Sequence, residues 1–173
     1  MSSDAWYTLL IVAVAIERCI ELVVSSRHLR WARERGGIET GAGHYPLMAA
    51  MHALLLVSCL VEVQVADRPF IPALGWPMLA VVVATQGLRW WCIRTLGPQW
   101  NTRIVVVPGL PLVSGGPYRW LRHPNYVAVV VEVAALPLVH TAWVTAIVFS
   151  LLNAVVLSVR IPAEQRALAA AAR

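Results

Sequence analysis

Five apolar runs separated by polar segments set the pattern of this chain, covering about residues 6–24, 46–66, 76–96, 126–139 and 141–159. A helix needs roughly 20 apolar residues to cross ~30 Å of hydrocarbon. All five are predicted to be membrane-spanning helices, four of them near that length. The fourth is short and is expected to lie tilted or partly covered by the segment before it. Pro137-Leu138-Val139-His140 predicts a tight turn that folds runs four and five into an antiparallel hairpin. The stretch Ile104-Val105-Val106-Val107 would suit a strand, but it sits between Arg103 and Pro108 and is too little to build a sheet. It reads as extended loop. The expected fold is all-α, a single polytopic membrane domain over residues 1–173, with a loop at 97–125 and a tail at 160–173 outside the spans. The alanines at 169–172 read as a fraying helix end.

Composition strengthens the membrane reading. The chain is 59% hydrophobic and 13% charged, with mean hydropathy +0.68, whereas a soluble domain is nearer a quarter charged. The net charge is +5, and all 14 basic residues are Arg. They fall between the apolar runs rather than on one face, so they read as topology determinants and site residues, not as a nucleic-acid surface. Arg27, Arg30, Arg33 and Arg35 follow the first run, Arg103, Arg119 and Arg122 follow the third, and Arg166 and Arg173 close the chain. The opposite side shows Asp4 and the Asp67-Arg68 pair. The positive-inside rule then predicts an outside N-terminus and a cytoplasmic C-terminus in a multi-pass membrane protein. Cys19, Cys59 and Cys92 lie in apolar runs without a Cys-x-x-Cys pair, which supports neither a disulfide framework nor a zinc site. No metal is expected. The first run lacks the basic leader and small-residue site of a cleaved signal.

Within this frame a few polar groups stand out. Glu17, Arg18 and Glu21 share the first run, where a charge near mid-bilayer costs ~2.5–3.5 kcal/mol. They form either an internal ion pair that fixes helix packing or the lining of a polar cavity. Glu62 and Glu132 raise the same question, with Glu132 either a cavity wall or a packing partner for Arg18 or Arg89. Arg89-Trp90-Trp91 ends the third run, as an interfacial aromatic belt with snorkelling arginine or as a ring-lined wall for a flat, lipophilic ligand.

The densest polar run is Gly116-Pro117-Tyr118-Arg119-Trp120-Leu121-Arg122-His123-Pro124-Asn125-Tyr126. Pro124 suits the first turn of a helix, and a helix N-terminus favours a carboxylate or phosphate. Arg122 and His123 add donors, and Tyr118 and Tyr126 add rings. The profile is a pocket for a ligand with an anionic end and a flat body. Downstream, Arg160 and Glu164 share a face if the helix continues through Pro162. Such a spacing also describes an ordinary surface pair.

Taken in order, Leu88-Arg89-Trp90, Thr95-Leu96-Gly97, Gly116-Pro117-Tyr118-Arg119, Arg122-His123-Pro124-Asn125-Tyr126 and Arg160 with Glu164 and Leu168 resemble the isoprenylcysteine carboxyl methyltransferase family. The resemblance implies S-adenosylmethionine as methyl donor, with S-adenosylhomocysteine as product. It implies a cofactor site at Gly116, Pro117, Tyr118, Arg122, His123, Pro124, Tyr126 and Glu164. Arg160, with Glu164, would serve the reaction, and Arg160 would hold the acceptor, with Arg89, Trp90, Trp91 and Glu132 as further acceptor contacts. Leu110 stands where many members have His, and Glu164-Gln165 where many have a Glu-Glu pair. Glu17-Arg18, Glu21-Leu22, His44-Tyr45-Pro46 and Val107-Pro108-Gly109 are similar to a short bacterial branch often found beside type III polyketide synthases. That branch implies O-methylation of alkylpyrones or related phenolic lipids and makes prenylcysteine an unexpected acceptor. Two other readings stay open. One is an NADPH-dependent membrane reductase, because sterol reductases carry a similar Arg-His-Pro-Asn-Tyr run. The other is a non-enzymatic membrane subunit or transporter built on the charged first run.

Overall fold

A computed structural model of the chain describes residues 2–171. Ala172, Arg173 and the His44 side chain lie outside the described residues, so the last alanine of the tail run and the terminal arginine counted above are not placed. Five helices carry the fold: α1 (Ser3–Arg33), α2 (His44–Val65), α3 (Pro72–Leu96), α4 (Pro124–Leu138) and α5 (Trp143–Ala171). Two short strands, β1 (Ile38–Thr40) and β2 (Ile104–Val106), pair antiparallel with Glu39 opposite Val105.

The helix ends follow local chemistry. Ser2 caps α1 by accepting from Ala5 N, and Asp4 in the first turn with Arg30 and Arg33 in the last complement the helix dipole. No breaker lies between Val24 and Arg33, so α1 runs well past the first apolar stretch. Arg27, Arg30 and Arg33, expected in a loop, therefore stand on the helix itself. Gly36, at φ 75°, stops it. Pro72 and Pro124 sit in the first turns of α3 and α4, where their missing N–H costs no hydrogen bond. Pro162 lies inside α5 without ending it, so the tail is helical through Ala171 and Arg160 and Glu164 do share a face.

Side-chain bonds fix which ends lie together. At one end, Tyr7 Oη donates to the Leu136 carbonyl (3.1 Å) and Thr141 Oγ1 to the Pro69 carbonyl (2.7 Å). There Glu62 accepts from the amides of Val144 (3.1 Å) and Thr145 (2.6 Å). Glu62 is thus the cap of α5, supplied by α2. At the other end the segment after α3 is pinned to α1. Thr102 N donates to Ser25 Oγ (3.1 Å) and His28 Nδ1 to the Trp100 carbonyl (2.8 Å).

The stretch read as bare loop at 104–107 is a strand after all. Its partner, β1, lies more than sixty residues away in the chain. Arg103 Nη1 donates to Glu39 Oε1 (2.7 Å) and its guanidinium lies 4.2 Å from the Tyr45 ring centroid. That hydrogen bond with Arg103 holds the Glu39 carboxyl below its ordinary value, against a smaller opposing effect of burial.

The core is apolar, from Tyr7 and Ile11 of α1 through Leu55, Cys59 and Val82 to Val133 and Leu136 of α4. The outside is apolar as well: Leu9, Ile16, Leu54, Val61, Ile147, Leu151 and Val155 are all exposed. Two helices, α2 and α5, are long and apolar enough to cross a membrane. Exposed apolar surface on this scale needs a non-aqueous neighbour.

Candidate active site

Between the helices lies a cavity of about 830 Å³, with walls from all five helices and the segment after α3. Its polar end lies where α4 begins. Pro124 sets that start and has no N–H, and the Tyr126 and Val127 amides both donate to the His123 carbonyl (3.1 and 3.2 Å), which leaves the Asn125 amide without a backbone partner among the described residues. Tyr126 Oη donates to Glu164 Oε2 of α5. His123 Nδ1 lies 3.7 Å from Glu164 Oε1, and Gln165 Nε2 lies 3.3 Å from His123 Nε2. Arg122 and Tyr118 complete this end of the cavity. Burial, and after it Cys92 and Glu164 nearby, pushes the Tyr118 hydroxyl above the ordinary tyrosine range, so it stays protonated as a donor.

One helical face delivers the α5 residues. Asn153, Leu157, Arg160, Glu164 and Leu168 recur at three- and four-residue spacing and all line the cavity. Arg160 is 4% exposed. Its Nη2 donates to the Thr102 carbonyl (2.9 Å), while Nε has no partner among the described residues. Asn125 Oδ1, also on the wall, is buried without a partner among the described residues.

The glycine of the Gly-Pro-Tyr segment has a steric reason. Gly116 sits at φ 54° over α3, and a Cβ there would collide with Thr95 Oγ1 and come within 3.0 Å of Trp91 Nε1. Gly116, Pro117 and Pro124 therefore shape the backbone, while Tyr118, Arg122, His123 and Tyr126 present side chains to the cavity.

Of the expected acceptor contacts, Arg89 and Arg160 reach the wall. Trp90 does not line it. Trp91 faces outward beside Trp120, ring centroids 5.9 Å apart. Glu132 takes the packing alternative: Arg18 Nη2 donates to both its oxygens at 2.7 Å, and Gln86 Nε2 donates at 3.0 Å. Arg18 Nη1 also donates to Glu21 (2.6 Å), and Arg89 pairs with Glu21 through Nε (2.8 Å) and Nη2. Glu17 stands 3.2 Å from Arg18. The charges in the first run thus form one network across α1, α3 and α4. Arg18, Glu21 and Arg89 also border the cavity.

The polar run, the start of α4 and the tail pair all fall within one matched stretch: the family model for isoprenylcysteine carboxyl methyltransferase (ICMT) matches residues 78–170. The chain belongs to this family. ICMT enzymes are membrane-bound and use S-adenosylmethionine generally, so membership supports a methyltransferase activity in a membrane protein. An "Uncharacterized protein YpbQ" of Bacillus subtilis is 41% identical over 163 residues, covering 94% of this chain and 96% of that protein. An "Uncharacterized protein" of Haemophilus influenzae is 24% identical over 152 residues, covering 87% and 88%. Both likenesses extend beyond the ICMT stretch into the first two helices.

Several wall residues had no signal in the motifs: Trp100 and Asn101 after α3, His52 in α2 and Asn153 in α5. For Asn153 a signal existed. It is the one amide side chain between Trp143 and Val159, and an isolated polar group in a membrane helix invites a functional reading.

Proposed function

We propose that the protein is an S-adenosylmethionine-dependent O-methyltransferase of the bacterial cytoplasmic membrane. Its acceptor would be lipophilic: an alkylpyrone, a phenolic lipid or a lipid-like carboxylate. One observation carries this reading. A single cavity joins a polar end, built on the start of α4 and Glu164, to apolar walls from Leu22, Met48, Leu56 and Val156. A volume of about 830 Å³ is in the upper range of small-molecule sites.

The residues at the polar end fit the cofactor's groups. The Asn125 amide at the start of α4, with Arg122 and His123, suits a carboxylate. Glu164 suits an ammonium, and the Tyr118 and Tyr126 rings suit a flat base. The unpartnered Asn125 Oδ1 and Arg160 Nε leave one acceptor and one donor for a ligand. When bound, the cofactor supplies an electrophilic methyl group on a sulfonium. The chain's own contribution is alignment. Tyr126 holds the Glu164 carboxylate, and Thr102 holds the Arg160 guanidinium, so both are set before ligand arrives. A carboxylate acceptor needs no base, whereas a hydroxyl must lose its proton.

The arginine pattern supports a cytoplasmic site, because Arg27, Arg30, Arg33, Arg35, Arg103, Arg119, Arg122 and Arg166 all lie toward the cavity's polar end. Five helices with that alternation agree with the proposed five crossings, of which α2 and α5 are long and apolar enough on their own. The acceptor would enter from the bilayer, supplied in the cell by a neighbouring type III polyketide synthase. Titration calorimetry of the purified protein with S-adenosylhomocysteine tests the reading. Binding in the micromolar range is expected, and a folded protein that gives no heat would overturn it.

A further inference from the structure

Two polar side chains on the cavity wall have no part in the cofactor end. His52 of α2 and Asn153 of α5 both line the cavity. Asn153 is 2% exposed, and its Oδ1 has no hydrogen-bond partner among the described residues. His52 Nδ1 lies 2.8 Å from the Met48 carbonyl. A carbonyl only accepts, so Nδ1 carries the proton and Nε2 keeps a lone pair.

The two residues stand at one level. Glu62 accepts from Val144 N at 3.1 Å, which pins antiparallel α2 and α5 together. His52 lies ten residues back along α2 and Asn153 nine residues forward along α5, rises of about 15 Å and about 13.5 Å. On the cavity face of α5, Asn153 lies two turns, about 10 Å, below Arg160. Its surroundings are apolar: Ala53, Leu56, Val129 and Val156 share the wall. A buried polar group without a partner in such a place calls for one from a ligand. The nearby guanidiniums do not offer themselves to an anion at this depth, because Arg18 is engaged by Glu21 and Glu132, and Arg89 by Glu21.

We propose that His52 and Asn153 form a specificity station that accepts a hydrogen bond from a hydroxyl on an uncharged, lipophilic acceptor. The station selects a phenol or enol over both a plain hydrocarbon and a carboxylate. The proposal deepens the O-methyltransferase reading and rests on it for the identity of the cavity. It narrows the acceptor to a hydroxylated ring lipid. His52 and Asn153 position that lipid, while the methyl group is delivered nearer Arg160.

Saturation binding of radiolabelled meta-pentadecylphenol to the full chain in nanodiscs, without cofactor, tests it. Competitors are the unlabelled phenol, pentadecylbenzene and hexadecanoate. The phenol is expected to compete about tenfold better than either, the yield of one added hydrogen bond. Asn153→Leu and His52→Phe, each close in volume to the residue replaced, should bring phenol and alkylbenzene to within about twofold. Equal competition in the wild type, preference for hexadecanoate, or a preserved ratio in both variants would each overturn the station. S-adenosylhomocysteine calorimetry on the same samples keeps the two claims apart. Loss of that heat in the wild type strikes the methyltransferase reading, yet the phenol-to-benzene ratio is still measured. Retained heat in the variants shows that they fold.

Discussion

The Tyr126 hydroxyl donates to the Glu164 carboxylate, tying the first turn of α4 to the last third of α5 across the mouth of the cavity. Glu164 keeps its second oxygen toward His123, so the carboxylate is oriented while one side stays available to a cation. Glu164→Gln removes the charge and keeps the shape. It should weaken S-adenosylhomocysteine binding by roughly 10- to 100-fold, the range for a charge-assisted hydrogen bond. Tyr126→Phe should cost less, within about tenfold. Calorimetry on both variants checks the order, and an unchanged Glu164→Gln affinity would remove Glu164 from the site.

Gly116 and Gly115 make a matched pair. Gly116→Ala forces a side chain into the left-handed region and against Thr95 and Trp91, at a cost of about 1–2 kcal/mol before the collision is counted. Gly115 has ordinary backbone angles, and its nearest neighbour for a Cβ is Thr95 Cγ2 at 4.0 Å. Thermal unfolding should show a drop of roughly 4 °C or more for Gly116→Ala and little change for Gly115→Ala.

The Arg18–Glu132 bond predicts strong coupling. Removing one member of a buried pair leaves an uncompensated charge and costs about 3–5 kcal/mol. Arg18→Met should therefore be severely destabilising. Glu132→Gln on the same background should restore part of the loss, because one stranded carboxylate is gone. A double-mutant cycle by thermal unfolding in nanodiscs measures this, and simple additivity would mean that the bond carries no energy.

Glu39 gives a pH dependence with a definite sign. Its carboxyl is held below the ordinary 4.5, first by the hydrogen bond from Arg103. The stabilising contribution is full above the unfolded value and fades as pH falls through the lowered folded value. The pair is near the surface, so the effect is under about 1 kcal/mol. Hydrogen exchange at the ladder-bonded amides of β1 and β2 should speed up as pH drops below about 4.5 relative to intrinsic rates. Glu39→Gln should abolish that acid-specific change.

The five helices were legible because their apolar runs outlast any competing pattern, although the ends of α1 and α5 ran past the apolar stretches for want of an effective breaker. Pro124 marked the start of α4, and the Arg160–Glu164 spacing marked one face of α5. The β1–β2 pairing was not legible, since each strand is three residues long and its partner lies across two helices. Nor was the choice between cavity and packing for Glu132. That choice depends on which way α1 presents Arg18, and rotation about a helix axis is set by the neighbours. Trp90 and Trp91 illustrate the same limit: adjacent residues on a helix diverge by about 100°, and neither direction led to the cavity. His52 gave no local signal, because its role comes from the level it shares with Asn153.

Glu62 adds one more consequence, for how the helices depend on one another. The two amides that open α5 are satisfied by a carboxylate synthesised eighty residues earlier. The final helix therefore cannot complete its own beginning. Its N-terminus is satisfied only when α2 packs beside it, so this one carboxylate couples the start of α5 to the second helix.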